Sequence, residues 1–280
     1  MKPAPFDYVS AETVDEAVAV LAAEGDEARL LAGGQSLIAM LNMRLIKPST
    51  IIDVSRVDGL NKITSTEAGL RVGAATTQRS LLDWPQLEQY YPLLSKALPW
   101  VGHFQTRSRG TVCGSIAHAD PSSELPLCLA LLNGSVELRS DRGHRKLEAD
   151  AFQTGMLQTA CAADEMIESV TFPAADKNSG YAFHEFGYRH GDFAIVAVAA
   201  VVDKGRVRIA VGGMTDRPEV REFRRDDTDL DSSGWLDDVL NDLAWTLHGS
   251  DDQHATSRYR RDLVRGLGRQ AVKEADACRV

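Results

Sequence analysis

Residues 30–41 read LLAGGQSLIAML, an apolar run that halts at two glycines and then resumes. No other feature constrains the fold of this chain as much. Arg29-Leu-Leu-Ala32 reads as a short buried strand, and Ser36 to Leu45 as a helix closed off by Pro48. The switch between the two periods has to happen within Gly33, Gly34 and Gln35. Glycine lets backbone approach closely and takes positive φ freely. The first N–H groups of the following helix lack intrahelical partners, and the helix dipole adds partial positive charge there. Gly33, Gly34, Gln35 and Ser36 are therefore candidates for cradling a phosphate or pyrophosphate, with a plain turn as the competing reading. The junction contains neither GxGxxG nor GK[ST], so it has no dinucleotide fingerprint of the Rossmann type and is not a P-loop.

Composition narrows the classes. A chain of 280 residues can bury one large core or two to three smaller ones. The formal net charge of −9 sets it against nucleic acid or an anionic membrane as partner. The opening MKPAPFDYV carries one Lys and no apolar core of a signal peptide, and no run reaches 18 apolar residues. The expectation is a cytoplasmic protein with no membrane span. Cys113, Cys128, Cys161 and Cys278 form no CxxC pair, and the seven histidines form no HExxH, so no metal site is expected.

Along the chain, Thr13-Val-Asp-Glu16 is a capping box, and Val14, Ala17, Val18 and Leu21 follow at helical spacing before Gly25. Ile51–Val54, Leu70–Ala74, Val136–Arg139 and Met166–Phe172 read as strands; Ser80–Trp84, Leu87–Leu98 and Leu127–Leu132 read as helices. The small, polar stretch RSRGTVCGSIAHADPSSELP (107–126) reads mostly as loop. Ala194–Val202 and Arg206–Val211 form a hairpin over Asp203-Lys-Gly205. RRDDTDLDSSG (224–234) is a solvated loop, and Trp235–Leu247 and Ser257–Ala275 are helices. The class is α+β.

Within the second small-residue stretch, Thr111-Val-Cys-Gly-Ser115 offers further N–H groups, and Asp120 and Glu124 offer acceptors for a nucleotide's hydroxyl or amino groups. Asp120-Pro121 also fits a helix N-cap with Pro at the first helical position. Two such loops could grip the two phosphates of a dinucleotide.

The segments LLAGGQSLIAMLNMRL, VGAATTQ, RSRGTVCGSIAHADPSSELP, GYAFHEFGYRHGDFAIVAVA and SRYRRDLVRGLGRQAV resemble, in order along the chain, the FAD-binding medium subunit of molybdenum hydroxylases, such as the aerobic carbon monoxide dehydrogenase and xanthine dehydrogenase types. The resemblance implies a vanillyl-alcohol-oxidase (PCMH-type) fold. FAD-binding lobes at 1–55 and 56–175 would precede a C-terminal α+β domain of sheet and helices at 176–280. It implies non-covalent FAD in this chain, a large partner carrying molybdenum–pterin and a small one carrying [2Fe–2S] clusters, in a dimer of heterotrimers. Electrons would pass from the clusters through this chain to an external acceptor, and no catalytic side chain is assigned here. By the same resemblance, Ala32, Gly33, Gly34, Gln35 and Ser36 form the pyrophosphate loop. Thr111, Gly114 and Ser115 form the second loop, with Asp120 and Glu124 as polar contacts to the adenosine half. Ile167 packs near the cofactor, and Phe193 lies against the flavin ring at the end of a buried strand, where filling the core is its competing reading.

The sequence departs from the family's RNRGTIGGS at Ser108 and Cys113, the latter placing a side chain where glycine is usual. His184 stands where a lysine near the flavin is usual; an imidazole supports an anionic reduced flavin less than an ammonium does. A stand-alone FAD oxidase and a cofactor-free interaction protein are the other readings. The substrate and the electron acceptor are not legible in the sequence.

Overall fold

The computed structural model describes residues 2–224 and 234–279. The loop expected over 224–234 lies, apart from its two end residues, outside that range. Three sheets succeed one another along the chain. The first uses β1 (Asp7–Ser10), β2 (Ala28–Leu31) and β3 (Thr50–Asp53), all parallel in the order β1-β3-β2, with helices α1 (Val14–Glu24) and α2 (Leu37–Asn42) as connections. Thr13 caps α1 by accepting from Glu16 N–H at 3.1 Å, while the Glu16 carboxylate accepts from Glu12 N–H at 2.7 Å rather than from Thr13. Ala17, Val18 and Leu21 form the buried stripe. Helix α2 is shorter than its apolar run. It ends before Arg44, which takes a left-handed φ of 58°, well ahead of Pro48.

The second sheet is antiparallel, in the order β4-β5-β10-β6-β7. Strands β4 (Ile63–Thr66) and β5 (Gly69–Gly73) lead into six helices: α3 (Gln78–Leu82), α4 (Leu87–Tyr90), α5 (Pro92–Ala97), α6 (Phe104–Arg109), α7 (Val112–His118) and α8 (Glu124–Leu131). Then come β6 (Ser135–Ser140), β7 (Gly143–Glu148), α9 (Ala149–Phe152), a small ribbon of β8 (Gln153–Gly155) with β9 (Gln158–Thr159), and β10 (Met166–Phe172).

Two expectations fail here. The helix expected over 87–98 breaks at Tyr91, whose φ of −138° and ψ of 56° suit the residue before a proline, and Pro92 starts a new helix. The loop expected over 107–126 is largely helical. Thr111 Oγ1 caps α7 by accepting from Gly114 N–H at 3.0 Å, and Val112, Cys113 and Ile116 bury one face. Its small polar residues are the other face of a helix. Asp120 does not cap α8, because its Oδ1 accepts from Ser122 N–H at 2.8 Å and the helix begins at Glu124.

The third sheet is β11 (Gly180–Phe186), β12 (Val196–Asp203), β13 (Arg206–Gly212) and β14 (Glu219–Arg224), antiparallel in that order, followed by α10 (Trp235–Thr246) and α11 (Ser257–Ala277). The expected hairpin pairs Asp203 with Arg206. The apolar runs do not alternate because both faces are covered. Ala197, Ala199, Val201 and Ala210 join the core of the second sheet and its helices, while Val196, Val198, Val202, Ile209 and Val211 pack with α10 and α11. No helix among the described residues is long and apolar enough to cross a membrane.

On β11, Tyr181, Phe183 and Glu185 share the inward face, with the two aromatic side chains in the main core. Glu185 is only 8% exposed, and its Oε2 finds no hydrogen-bond partner. Burial, with Glu124 nearby adding repulsion, pushes its carboxyl up to about 9. The folded state therefore holds a proton that the unfolded chain releases near the ordinary value of 4.5, and this contribution to stability declines as pH rises between the two values. Glu185→Gln keeps the shape without the titration. Denaturation measured from pH 5 to 9 should show the variant losing less stability than wild type with rising pH, by up to about 1.4 kcal/mol per pH unit.

Candidate functional site

The two glycine loops meet through backbone. A Cβ on Gly33 would lie 2.3 Å from Arg109 O and 2.7 Å from Gly110 Cα, so only glycine permits the contact. Gly34 takes φ of 71°, and a side chain there would also press on Leu31 and Ile38. The backbone N–H groups of Gly33, Gly34, Gln35 and Ser36 donate to no acceptor among the described residues. Ser36 precedes α2 without using its hydroxyl as a cap. Helix α2 has only six residues, so its dipole adds little, and the free N–H groups themselves are what the loop offers an anion.

The second loop is held from below by α3. Gln78 N–H donates to Gly110 O at 2.8 Å, Val112 N–H to Thr76 O at 3.0 Å, and the Gln78 amide lies 3.5 Å from Thr111 O. Gln78 is buried, and its Oε1 is left without a partner beside Gly110. The free N–H groups expected from this loop are partly consumed. Gly114 N–H goes to Thr111 Oγ1, and Ser115 N–H goes to Thr111 O at 3.2 Å. Cys113 does not obstruct the loop's outer side. Its Sγ turns inward to donate to Val72 O at 3.4 Å, and burial pushes its thiol up to about 12. Gly114 is the residue left exposed. Ser108 bonds back to Phe104 O within α6.

A cleft of about 500 Å³ opens beside the first loop. Its walls are residues 31–35, then Ile38, Ala39 and Asn42 on α2, Asp53 and Ser55 at and after the end of β3, and Arg109 at the end of α6. The Arg109 guanidinium has no partner among the described residues. Asp53 accepts from Tyr8 OH at 2.6 Å and from Ser55 N–H at 2.8 Å. Desolvation pushes its carboxyl up, but these hydrogen bonds outweigh it and leave the group below the usual value. Asn42, Asp53, Ser55, Gln78 and Arg109 were not singled out from sequence. One signal was available: Asp53 ends a parallel strand beside the glycine turn, where open parallel sheets place ligands.

The structure thus brings Ala32, Gly33, Gly34 and Gln35 together at the cleft, with Ser36 next along the chain, whereas Thr111, Gly114 and Ser115 do not line it. The remaining candidates lie elsewhere. Asp120 and Glu124 follow α7 and do not line the cleft. Glu124 is 7% exposed, and burial, helped by Asp120, raises its carboxyl to about 7. Ile167 sits buried on β10. His184 points to α11, with Nε2 2.8 Å from Glu274 Oε2, whose other oxygen accepts from Lys96 at 2.5 Å; this is the face of β11 opposite Glu185. Phe193 does not end a buried strand. It is 72% exposed and precedes β12 by three residues, which overturns its reading as core filler.

The meeting of loops makes a simple test. Gly33→Ala should force Arg109–Gly110 away and destabilise the fold by about 1–3 kcal/mol, read from urea denaturation. An unchanged midpoint would mean that the loops do not depend on this approach.

Comparison with known proteins shows the family. Residues 4–175 match the family described as the FAD binding domain in molybdopterin dehydrogenase. Subunit alpha of the 6-hydroxypseudooxynicotine dehydrogenase complex of Paenarthrobacter nicotinovorans is 34% identical, over 98% of this chain and 96% of that one. The carbon monoxide dehydrogenase medium chain of Afipia carboxidovorans is 28% identical over 99% of both chains. The solved structure of carbon monoxide dehydrogenase from Hydrogenophaga pseudoflava superposes with a TM-score of 0.92 at 26% identity, covering all of both chains. The protein therefore belongs to the FAD-binding chains of the molybdopterin dehydrogenases, an oxidoreductase family with the PCMH-type fold.

Proposed function

We propose that this chain is the electron-transfer subunit of a heterotrimeric molybdenum hydroxylase. It stands between the [2Fe–2S] clusters of a small partner and an external acceptor, while a large partner carries molybdenum–pterin and acts on the substrate. The observation that carries this reading is the close approach at Gly33, which sets two glycine-bearing loops around unspent N–H groups. The N–H groups of Gly33 to Ser36 have no acceptor among the described residues, so the residues present fit a pyrophosphate. When bound, FAD supplies the exchange between electrons arriving from the clusters and electrons leaving to the acceptor.

The protein's own part is binding and exclusion. The N–H groups of Gly33 to Ser36 and the Ser36 hydroxyl donate to phosphate oxygens, with Ala32 behind them. Thr111, Gly114 and Ser115 present the opposite wall. Asp120 and Glu124 add polar contacts beyond that wall, and Glu124, poised near neutral pH, can donate as well as accept. Ile167 and the exposed ring of Phe193 flank the flavin, where an aromatic contact adds about 0.5–1.5 kcal/mol beyond burial. His184, tied to Glu274, acts at the seam of β11, α5 and α11 rather than on the ring. In this reading 1–55 and 56–175 are the FAD-binding lobes and 176–280 the C-terminal domain. The assembly is a cytoplasmic dimer of heterotrimers, and FAD is held without a covalent bond.

Purification should recover two partner chains, one bearing molybdenum and one bearing iron–sulfur clusters, and acid should release the flavin into the supernatant. Gly34→Val places a β-branched residue at positive φ, so it should lose flavin absorbance while far-ultraviolet circular dichroism is kept. Full flavin occupancy in that variant removes the loop assignment, and organic-substrate turnover by the isolated chain would point to a stand-alone oxidase.

A further inference from the structure

Two buried acids from different elements, Glu124 and Glu185, share a single nearby cation. Glu124 opens α8, and Glu185 lies on the inward face of β11, one residue before its end. Both are less than a tenth exposed, and Glu185 Oε2 is sealed from water without a hydrogen-bond partner. The cation is Arg107 on α6. Its Nε is likewise sealed and unpartnered, while Nη1 donates to the carbonyls of Pro99, Val101 and Gly102 at 3.2, 2.9 and 2.7 Å. The other groups around the pair add no positive charge. Half-buried Asp120 repels Glu124. Cys128, one turn along α8, is buried and its thiol is pushed up, so it stays neutral. Strand β12 sets Ala197 opposite Glu185. His184, Glu274 and Lys96 are bound to one another on the other face of β11. One guanidinium balances one carboxylate, and a second unpaired carboxylate in the same interior is strongly disfavoured, so the pair keeps a proton. Glu185 is the member that holds it, because burial and then Glu124 push its carboxyl up to about 9. Glu124 is the member left to titrate: burial raises it to about 7 against the pull of its own N–H and of Arg107.

We propose that Glu124 takes up a proton when electrons enter this chain and returns it when they leave, with Glu185 holding a fixed proton beside it and Asp120 linking it to solvent. This rests on the FAD reading above. The elements that carry the pair and its cation lead to the cofactor side of the chain. Helix α6 runs into the second loop, and Glu124 starts the helix after α7. Strand β11 ends at Phe186, whose O accepts from the N–H of Ile195, two residues beyond Phe193, at 2.8 Å. Iron–sulfur clusters pass electrons without protons, so the charge they send inward arrives uncompensated. New negative charge nearby favours the neutral form of a carboxyl, and the group placed to respond is the one ionised near neutrality. The step balances. As the clusters are oxidised, the Glu124 carboxylate binds H⁺ from water and becomes the acid. As the external acceptor is reduced, the same O–H bond breaks and H⁺ returns to water. Glu185, already protonated, exchanges nothing and keeps a neutral neighbour beside Glu124.

The test uses the full chain loaded with FAD and reduced electrochemically, read by infrared difference spectroscopy and by proton uptake in weak buffer. Between about pH 7 and 8, reduction of the wild type should raise a protonated-carboxyl band and take up about one proton more than Glu124→Gln does at matched flavin content. Glu124→Gln should lack the band, and Glu185→Gln should keep both the band and the extra proton. Below about pH 5, where Glu124 is already protonated, wild type and Glu124→Gln should take up the same number. Circular dichroism and melting temperature report folding. Glu124→Asp keeps an acid and should move the band, which assigns it even where the Gln variant does not fold. A wild-type chain that holds FAD yet shows no carboxyl band on reduction overturns the proposal whatever the variants do. So does a band that persists in folded Glu124→Gln, stays unmoved in Glu124→Asp, or vanishes in folded Glu185→Gln. A wild-type chain that binds no FAD removes the FAD reading itself, whereas a loaded chain without the band removes only this one.

Discussion

The approach of Gly33 to the backbone of Arg109 and Gly110 is the contact on which the site depends. It joins a loop of the first sheet to a loop some 75 residues later in the chain. It leaves no room for a side chain, so neither loop can shift without the other. Because Arg109 is pinned through its carbonyl, its side chain has a defined origin at the rim of the cleft. The second loop is in turn fixed by Gln78, which satisfies Gly110 O from its own backbone. Preorganisation of this kind lowers the cost of binding, since the N–H groups of Gly33 to Ser36 are left unspent among the described residues.

The third sheet supports that arrangement from behind. With both faces of β12 covered, it shares a core with the helices of the second sheet and a separate core with α10 and α11. Pro121, just after α7, accepts from Gly213 N–H at 2.9 Å, and Arg260 of α11 donates to Gly213 O at 2.8 Å, so the far end of the chain braces the segment after the second loop. The buried acids Glu124 and Glu185 lie in this region, where burial favours their neutral forms. Carboxyls held in that state cost stability at alkaline pH, an expense that well-packed apolar residues in the same places would avoid.

Much of the fold was legible in local pattern. The Thr13 cap, the strand Met166–Phe172 and the Lys204-Gly205 hairpin all follow from chemistry within a few residues, and each appears where that chemistry places it. Residues 107–126 were misread because small and polar composition signals loop only when nothing buries one face. Val112, Cys113 and Ile116 do find a core, and that core is made by distant strands. The competing reading of Phe193 as core filler fails for the converse reason: it adjoins an apolar strand, yet the chain turns it outward before the strand begins.

By itself the sequence determined the glycine turn, the small-residue character of the second segment and the resemblance that ties both to FAD. It did so because positive φ, close backbone approach and capping are set by residue type at a position. Only the tertiary structure decided which side chains share the cleft. Asn42, Asp53 and Arg109 come from one helix, a strand end and the last turn of another helix, and no periodicity links them. It also decided that His184 serves Glu274 and that Glu185 lies unpaired in the interior. Both sit on one strand at adjacent positions, and alternation sends them to opposite faces whose surroundings are built by helices far away in sequence.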